Sequence, residues 1–408
     1  MKKLLIIGFV WPEPKSSAAG SRMMQLISFF ISQEYQITFA SACSKSDNAF
    51  DLGTIGVDTV NIELNHSSFD IFITTLNPNI VMFDRFMSEE QFGWRVTEHC
   101  PNAMKILDTE DLHFLRRARQ QAFKDNEKMS SKYLYNDTAK REIASIYRCD
   151  LSLIISTAEM KLLQNRFKIS SSLLCYLPFL MNSMSAEQKR KLPTFEMRAH
   201  FISIGNFRHE PNYNALLYLK ETIWKGIRAQ LPNAQLHNYG AYASQKINQL
   251  HNEKEGFLIK GFAKDVEVVM QQSKVLLAAI RFGAGLKGKL FDAMQNGTPF
   301  VSTSVGVEGI ADNVALEFVG NTDNDFITKA IQLYTDNANW SKQQDKGFHI
   351  LEQQFSKTHF ELVFKERLLF LAKDLKSHRE QHFIGQLLQH HSMQSTKYMS
   401  KWIAAKNA

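Results

Sequence analysis

Short, uninterrupted apolar segments recur along the chain and alternate with longer amphipathic segments. The first apolar segment is KLLIIGFV, which is followed by the polar loop WPEPKSSAAG, an amphipathic stretch and a second apolar segment, YQITFAS. Unbroken runs of this length are typical of parallel strands that are buried on both faces. The alternation therefore predicts an α/β protein with helices on both sides of a parallel sheet.

The same pattern continues to about residue 180. The segments PNIVMFD, MKILDTE and DLSLIIS predict further strands, and the longest helical stretch between strands runs from about residue 112 to 148. The first helix is expected after the glycine of the polar loop, with Ser21 as its N-cap. Its buried face is predicted at helical spacing and comprises Met23, Leu26, Ile27, Phe30 and Ile31.

The strand and helix alternation lapses over LMNSMSAEQKRKLPTFEM and restarts with HFISIG. We therefore expect two Rossmann-like doubly wound domains, at 1–182 and 198–372, joined by a linker at 183–197 and followed by a helical extension at 373–408. The extension is expected to pack back on the N-terminal domain, because Tyr398, Trp402 and Ile403 would otherwise leave apolar area in water. A helix lying on a membrane surface is the alternative.

The charge balance favours anionic partners without selecting one class. The net charge is +7 and the isoelectric point is near 9.0, but the cations are dispersed and form no dense block. A phosphate-bearing small molecule fits this pattern, whereas a nucleic acid would require a continuous basic face.

Cellular location is predicted from the cysteines and the N-terminus. The four cysteines form no C-x-x-C pair, so neither a zinc site nor a disulfide framework is expected, and a reduced cytoplasmic protein is the simplest interpretation. Contact with the inner face of the membrane stays open. Glu13 and Lys15 follow the short N-terminal apolar run, which favours a first strand over a signal peptide.

The segment RFGAGLKGKLFDAM, at 281–294, follows the predicted strand KVLLAAI. Gly283 and Gly285 are expected to turn the chain into a helix that ends at Gly297. Glycines let a phosphate approach the backbone, the start of a helix attracts anions, and Lys287 and Lys289 add positive charge. The segment predicts a diphosphate-binding site, near which Asp292 either contacts a ribose or lies on a solvated helix face.

Several segments resemble a known family. SIGNFRHEPNYNALLYL and the run from GFAKDVEVVM to GVEGI are similar to the sugar-donor half of family-four (group 1) glycosyltransferases. PEPKSSAAGSRMMQLISFF resembles the first glycine loop and helix of that family, and ILDTEDLHFLRRAR resembles its active-site strand end. The family has the glycosyltransferase-B fold of two Rossmann-like domains facing across a cleft, and the similarity is to members of the bacterial cell-surface polysaccharide type.

The resemblance implies a retaining transferase without an obligatory metal or other cofactor. A nucleotide diphosphate sugar would bind mainly to the C-terminal domain, and a glycan, lipid-linked or protein acceptor would bind to the N-terminal domain. The implied catalytic residues are Glu110, Asp111 and His113. The implied sugar-donor-binding residues are Gly20, Arg208, Phe262, Gly283, Gly285, Lys287, Lys289 and Asp292.

The chain also departs from the family pattern. Of two glutamates common in the family, the first is replaced by Ala284 and the second by Asp292, and Asn206 and Pro211 stand where many relatives carry an Arg and a Lys. Two alternatives therefore remain open at this stage: a nucleotide-binding scaffold of the same fold with weakened turnover, and a nucleotide-sugar epimerase. A nicotinamide-dependent enzyme is less favoured, because the first turn lacks the spaced glycines of a dinucleotide site.

Overall fold

The computed structural model of the protein describes residues 2–310 and 317–407. Within those residues, the chain forms two wholly parallel sheets. The strands of the first sheet are β1 (Lys2–Gly8), β2 (Tyr35–Ser41), β3 (Asp58–Asn61), β4 (Ile80–Asp84), β5 (Met104–Asp108), β6 (Leu151–Ile154) and β7 (Leu174–Tyr176). Their spatial order is β3-β2-β1-β4-β5-β6-β7.

The second sheet lies in the C-terminal half. Its strands are β8 (Ala199–Ile204), β9 (Leu236–Tyr239), β10 (Phe257–Gly261), β11 (Ser273–Ala278) and β12 (Phe300–Ser302), in the order β10-β9-β8-β11-β12. Both orders reverse direction next to the first strand of the domain, which is the topology of doubly wound folds. The predicted fold class is confirmed.

Helices cover both faces of the sheets. In the first domain they are α1 (Ala18–Ser32), α2 (Ser68–Leu76), α3 (Arg85–His99), α4 (His113–Lys124), α5 (Ser131–Leu134), α6 (Asp137–Arg148) and α7 (Thr157–Asn165), with 3-10 turns at Leu52–Ile55 and Ser171–Leu173. The short α8 (Ala186–Lys191) lies in the connection between the domains. In the second domain they are α9 (Glu210–Tyr218), a π-helical turn (Leu219–Ile223), α10 (Trp224–Gln230), α11 (Gln245–Asn248), α12 (Val266–Gln272), α13 (Gly288–Gln295), α14 (Asp323–Thr335) and α15 (Asn337–Gln354). The chain ends with α16 (Lys357–Lys373), α17 (Leu375–Gln381) and α18 (Phe383–Asn407).

The first helix begins earlier than its sequence pattern predicts. Ser17, not Ser21, is the N-cap, and its hydroxyl accepts the amide proton of Gly20 at 3.0 Å. The Ser21 hydroxyl instead donates to the carbonyl of Pro14. Ile31, predicted on the buried face, is exposed, and Phe29 is buried in its place. Phe29 packs against Phe364 of α16, which returns from the second domain.

The long helix predicted over 112–148 is wrong, because the segment forms three helices, α4 to α6. Asn126 adopts the left-handed conformation with φ of +53°, and the helix before it has ended. The side chain of Asn136 then caps α6 by accepting the amide proton of Ala139. Asparagine favours both roles, since it tolerates left-handed backbone and competes for local hydrogen bonds.

The chain crosses between the domains twice at one place. Met181 donates its amide proton to Phe355 O and accepts one from Lys357, at 2.9 Å each. The sequence pattern placed the end of the second domain at residue 372, but α16 already packs into the hydrophobic core of the first domain through Phe360 and Phe364.

The C-terminal helix α18 packs against α3 and α6 of the first domain. Lys397 pairs with Glu98 at 2.7 Å, and Arg95 donates to the hydroxyl of Ser400 at 3.0 Å. Among the described residues, no helix combines the length and the hydropathy needed to span a membrane.

Candidate active site in the interdomain cleft

A cleft of about 1220 Å³ separates the two domains. Its walls come from the loops that follow β1, β4 and β5 in the first domain and β8, β9, β10 and β11 in the second. Ligands of open parallel sheets bind at these carboxyl ends. Because single small-molecule sites usually measure about 300 to 1,000 Å³, the cleft has room for two substrates side by side.

Two lysines lie at the start of α13 and line the cleft. The Nζ of Lys287 donates to the carbonyl of Gly285 at 2.7 Å, and the Nζ of Lys289 donates to Oδ1 of Asn212 at 2.9 Å. Burial lowers the pKa of each ammonium group to about 8. The charge of Lys287 lowers the pKa of Lys289 further, whereas Glu308 partly offsets the effect on Lys287.

A bound anion would stabilise the charged forms of both lysines. The unpaired amide groups of the first turn of α13 add a partial positive charge to the same place. An anion bound there would relieve the cost of burying two like charges. This arrangement would favour a group with two negative charges, such as a diphosphate.

Asp292 lies about one turn beyond the lysines and faces the open cleft. Its side chain is exposed to the cleft on one side and enclosed by protein on the others, and this enclosure raises its pKa, against the opposing effect of Lys289. Its carboxylate accepts no hydrogen bond within the described parts of the chain. It is therefore available to a ligand hydroxyl. The position where the resembling family commonly carries its first glutamate is Ala284 here. Ala284 packs against the hydrophobic core of the first domain and supplies no acid to the cleft.

Three further residues that were predicted to bind the sugar donor lie at separate points of the cleft wall. Phe262 lines the cleft with its ring 38% exposed, and the guanidinium of Arg208 lies 3.9 Å from the ring centre of Tyr242. The carbonyl of Gly283 accepts a hydrogen bond from Arg119 of the first domain at 2.8 Å.

Two of the predicted glycines serve close packing. A Cβ on Gly20 would lie 2.4 Å from the backbone of Glu13, and one on Gly285 would lie 2.8 Å from Cβ of Asp111. Gly285 also has a φ of +63°, and it does not line the cleft. At both positions the absent side chain allows two loops to touch.

The three predicted catalytic residues lie together at the end of β5. Glu110 is buried with a left-handed φ of +60°, and burial, followed by the charges of Asp108 and Asp84, raises its pKa well above its usual value. Burial also acts to raise the pKa of Asp111, but the neighbouring Arg116, which pairs with it at 2.9 Å, contributes to a net lowering. One carboxyl is thus favoured in its neutral form and its neighbour in its charged form.

His113 lies at the first residue of α4 and lines the cleft. Its Nδ1 is 3.0 Å from the carbonyl of Asp111 and 3.2 Å from Oε1 of Glu142. Because both neighbours accept hydrogen bonds, Nδ1 carries a proton, which leaves Nε2 as the ring nitrogen for a ligand.

Three buried charged residues that support the site were not predicted from the sequence. Glu142 of α6 accepts the amide protons of His113 and Phe114, and so caps α4 from a neighbouring helix. Glu159 of α7 accepts hydrogen bonds from loops of both domains. Arg22 pairs with Asp108 at 2.9 Å, with both side chains almost fully buried. Charged residues on helices usually face solvent, so no sequence signal marked Arg22 or Glu142.

Direct contacts hold the two walls together. Arg119 makes two hydrogen bonds to the Glu308 carboxylate at 2.7 Å each, and the hydroxyl of Tyr242 lies 2.8 Å from both oxygens of Glu13. The structure therefore represents a closed arrangement of the cleft.

Over residues 2–310 and 317–407, no group of three or more His, Cys, Asp or Glu side chains is arranged to hold a metal ion.

Comparison with known proteins agrees with this geometry. Residues 198–336, which hold β8 to β12 and α13, match the family model of glycosyl transferases group 1. The match lies within the second domain. No curated protein sequence matches the chain.

Solved structures show the same architecture over both domains. Sucrose-phosphate synthase from Thermosynechococcus elongatus is 14% identical, with a TM-score of 0.67, over 91% of this chain and 100% of that chain. The Anabaena protein HepE in complex with UDP and glucose is 11% identical, with a TM-score of 0.65, over 89% and 98% of the two chains.

The TarM G117R mutant of S. aureus, in complex with fondaparinux, alpha-GlcNAc-glycerol and UDP, is 15% identical with a TM-score of 0.57. The match covers 74% of this chain, which spans 58% of the TarM chain. All three relatives are compared at low identity, so the likeness establishes the glycosyltransferase-B fold and leaves substrates to be argued from the site.

Proposed function

We propose that the protein transfers a sugar from a nucleotide diphosphate sugar to a glycan, lipid-linked or protein acceptor, with retention of configuration and without an obligatory metal. The observation that carries the proposal is the pair of half-buried lysines, Lys287 and Lys289, at the start of α13 in the interdomain cleft. Their lowered pKa values indicate a site built for a ligand of opposite charge.

The arrangement of the second domain supports the orientation of the sugar donor. With the diphosphate against the first turn of α13, the carboxylate of Asp292 lies farther along the same helix, where it would accept a hydrogen bond from a ribose hydroxyl. The exposed ring of Phe262 offers a flat apolar surface on the same wall for the base.

The first domain would contribute the chemistry at the sugar. In the reaction, the bond between the anomeric carbon and the diphosphate oxygen breaks, a bond from the acceptor hydroxyl oxygen to that carbon forms, and the hydroxyl proton passes to the departing diphosphate. Negative charge develops on the diphosphate, where Lys287, Lys289 and the helix start stabilise it. Positive charge develops on the sugar ring, and the ionised Asp111, which lines the cleft, would be its partner.

The acceptor would occupy the part of the cleft that the first domain lines. Glu110 and His113 face this space, and the loop after β1 forms its outer rim. A cleft of this volume accommodates an acceptor beside the sugar donor, which a nucleotide-binding scaffold would not require.

Calorimetric titration with uridine, guanosine and adenosine diphosphates, without and with magnesium, tests the proposal. We expect one nucleotide to bind at about micromolar strength and equally well without the metal. Binding of none of the three would overturn the proposed sugar-donor site.

Turnover with the matching nucleotide sugar separates the remaining functions. A transferase releases nucleotide and forms product only when a suitable acceptor hydroxyl is present. Product formed from the nucleotide sugar alone would indicate an epimerase, and binding without turnover on any acceptor class would indicate a scaffold.

A further inference from the structure

A single carboxylate oxygen joins the two domains beneath the cleft. Glu159, in the first turn of α7, has no exposed surface. Its Oε1 accepts the amide proton of Leu112 in the first domain at 3.0 Å and that of Gly285 in the second domain at 2.8 Å. Glu159 thus bonds the two loops at the point where Gly285 packs against Asp111.

Both amides belong to the functional loops. Leu112 lies between Asp111 and His113, at the end of β5. Gly285 lies in the lysine-bearing loop, and its carbonyl accepts the hydrogen bond from Nζ of Lys287. Glu159 therefore bonds directly to both the catalytic side and the diphosphate side of the site.

The sequence gives Glu159 a second set of partners. Ser156 is the N-cap of α7 and Glu159 is the third helical residue, which is the S-x-x-E spacing of a capping box. In such a box the glutamate accepts the N-cap amide proton, and the serine hydroxyl accepts the amide proton of the glutamate. The structure contains neither bond as a side-chain cap, and both Oγ of Ser156 and Oε2 of Glu159 are buried without a hydrogen bond among the described residues.

We propose that Glu159 is a positioning residue that binds the loops of Leu112 and Gly285 when the cleft closes and returns to the capping box of α7 when it opens. The inference rests on the proposed function in taking the Gly285 loop as the sugar-donor loop. The hydrogen bonds of Glu159 to the two loops belong to the closed arrangement of the domains and do not depend on what the site binds.

The charge surrounding Glu159 links closure to a proton. Burial and then the charge of Asp111 raise its pKa from 4.5 to about 8, while the two amide groups and Lys287 oppose the rise. Arg22 also acts on the same carboxyl electrostatically. In the open form, where water reaches the carboxyl, the pKa falls toward its ordinary value. Closure therefore takes up a proton near neutral pH, so it weakens as the pH rises from about 5 to about 8 and changes little at higher pH.

Hydrogen exchange measured by mass spectrometry on the full chain without nucleotide tests the proposal. The probes are the peptides that contain Leu112 and Gly285, in the wild type and in Glu159→Ala and Glu159→Gln. We expect exchange of both amides to rise about tenfold in the alanine variant, which removes the acceptor. The glutamine variant keeps an acceptor oxygen and should protect both amides.

Glu142→Ala is the matched control, because Glu142 is equally buried and also accepts two amide protons, but both belong to the first domain. It should raise exchange in the peptide of Leu112, His113 and Phe114 while Gly285 stays protected. Wild-type exchange at Gly285 in a folded Glu159→Ala protein would overturn the proposal.

A second comparison covers the case in which the alanine variant does not fold. After correction for intrinsic exchange rates, the wild type should lose protection at Gly285 progressively as the pH rises from about 5 to 8 and little more above that, because closure in this range must protonate a carboxyl that is ionised in the open form. Glu159→Gln has no such group and should show no loss. Identical profiles for the two proteins would contradict the proposal, and since no nucleotide is present, neither result depends on whether the nucleotide titration succeeds.

Discussion

Lys289 Nζ lies 2.9 Å from Oδ1 of Asn212, and so brings a cation from α13 to the end of the first strand of the second domain. A Cβ on Gly205, which ends that strand, would lie 2.9 Å from the same Nζ. Related enzymes resembling this chain often carry an Arg and a Lys at the positions of Asn206 and Pro211. In this chain, Lys289 of α13 brings positive charge to the same corner of the cleft.

Removing either lysine should weaken nucleotide diphosphate binding. Lys287→Ala and Lys289→Ala should each cost about 1.5 to 3 kcal/mol, as expected for a charge-assisted contact, with the larger loss for Lys287, since it precedes the helix directly. Calorimetric titration measures the change. Lys225→Ala, on the exposed face of α10, is the control and should bind as the wild type does. Unchanged affinity in both cleft variants would refute the diphosphate site.

Nucleotide affinity should depend on pH around 8. Both lysines have a pKa of about 8 in the ligand-free protein, and a bound diphosphate raises it, so the cationic form binds and affinity falls as the pH increases through about 8. Binding at pH 8 should take up about one proton in total, which titration in buffers of different ionisation enthalpy detects.

The double variant Lys287→Arg with Lys289→Arg separates this effect from that of Glu159. Arginine stays protonated over the whole range, so the lysine-dependent part of the pH profile should disappear. A profile unchanged from the wild type would assign the titration to other groups.

A side chain at Gly288 should wedge the domains apart. Gly288 is the first residue of α13, and a Cβ there would lie 2.7 Å from Cβ of Ala18 at the start of α1. Gly288→Ala should therefore weaken nucleotide binding by about 1 to 3 kcal/mol, the usual cost of overpacking. Small-angle scattering should show a larger radius of gyration. Gly53→Ala, where the nearest atom is 3.3 Å away, should change neither measurement.

The ion pair of Arg22 and Asp108 should support stability rather than chemistry directly. Both groups are buried, and Arg22 also donates to the carbonyl of Leu177 at 2.7 Å. Arg22→Ala should lower the free energy of unfolding by about 3 to 5 kcal/mol, because it leaves the carboxylate of Asp108 without its counter-ion. Denaturant titration followed by circular dichroism measures this. A loss below about 1 kcal/mol would show that water replaces the arginine.

The strands could be predicted because burial on both faces requires an unbroken apolar run, as in Leu4 to Ile7, all four of which have no exposed surface. The turn and helix at 283–297 were equally readable, since glycines and the following apolar spacing mark them directly. Segment 125–136 was not, because its breaks depend on Asn126 and Asn136, and asparagine occurs both inside helices and at their ends.

Prediction of the site was limited by contacts between distant residues. Lys287 and Lys289 follow from a local pattern, but the role of Glu159 depends on Gly285, which is 126 residues away. The S-x-x-E spacing at Ser156 was the one available signal, and it indicated a helix cap that the closed structure does not contain. The roles of Glu142 and Arg22 could not be predicted either, because their partners are also distant in sequence.

The paired crossings of the chain at Met181 and residues 355–357 have a mechanical consequence. Two adjacent chain segments bonded to one another act as a pivot, so we expect the domains to rotate about this point and not to slide past each other. Contacts made elsewhere between the walls, such as Arg119 with Glu308 and Tyr242 with Glu13, would then separate as the angle grows. A pair of fluorescent labels beside those contacts would serve as a gauge of the opening angle.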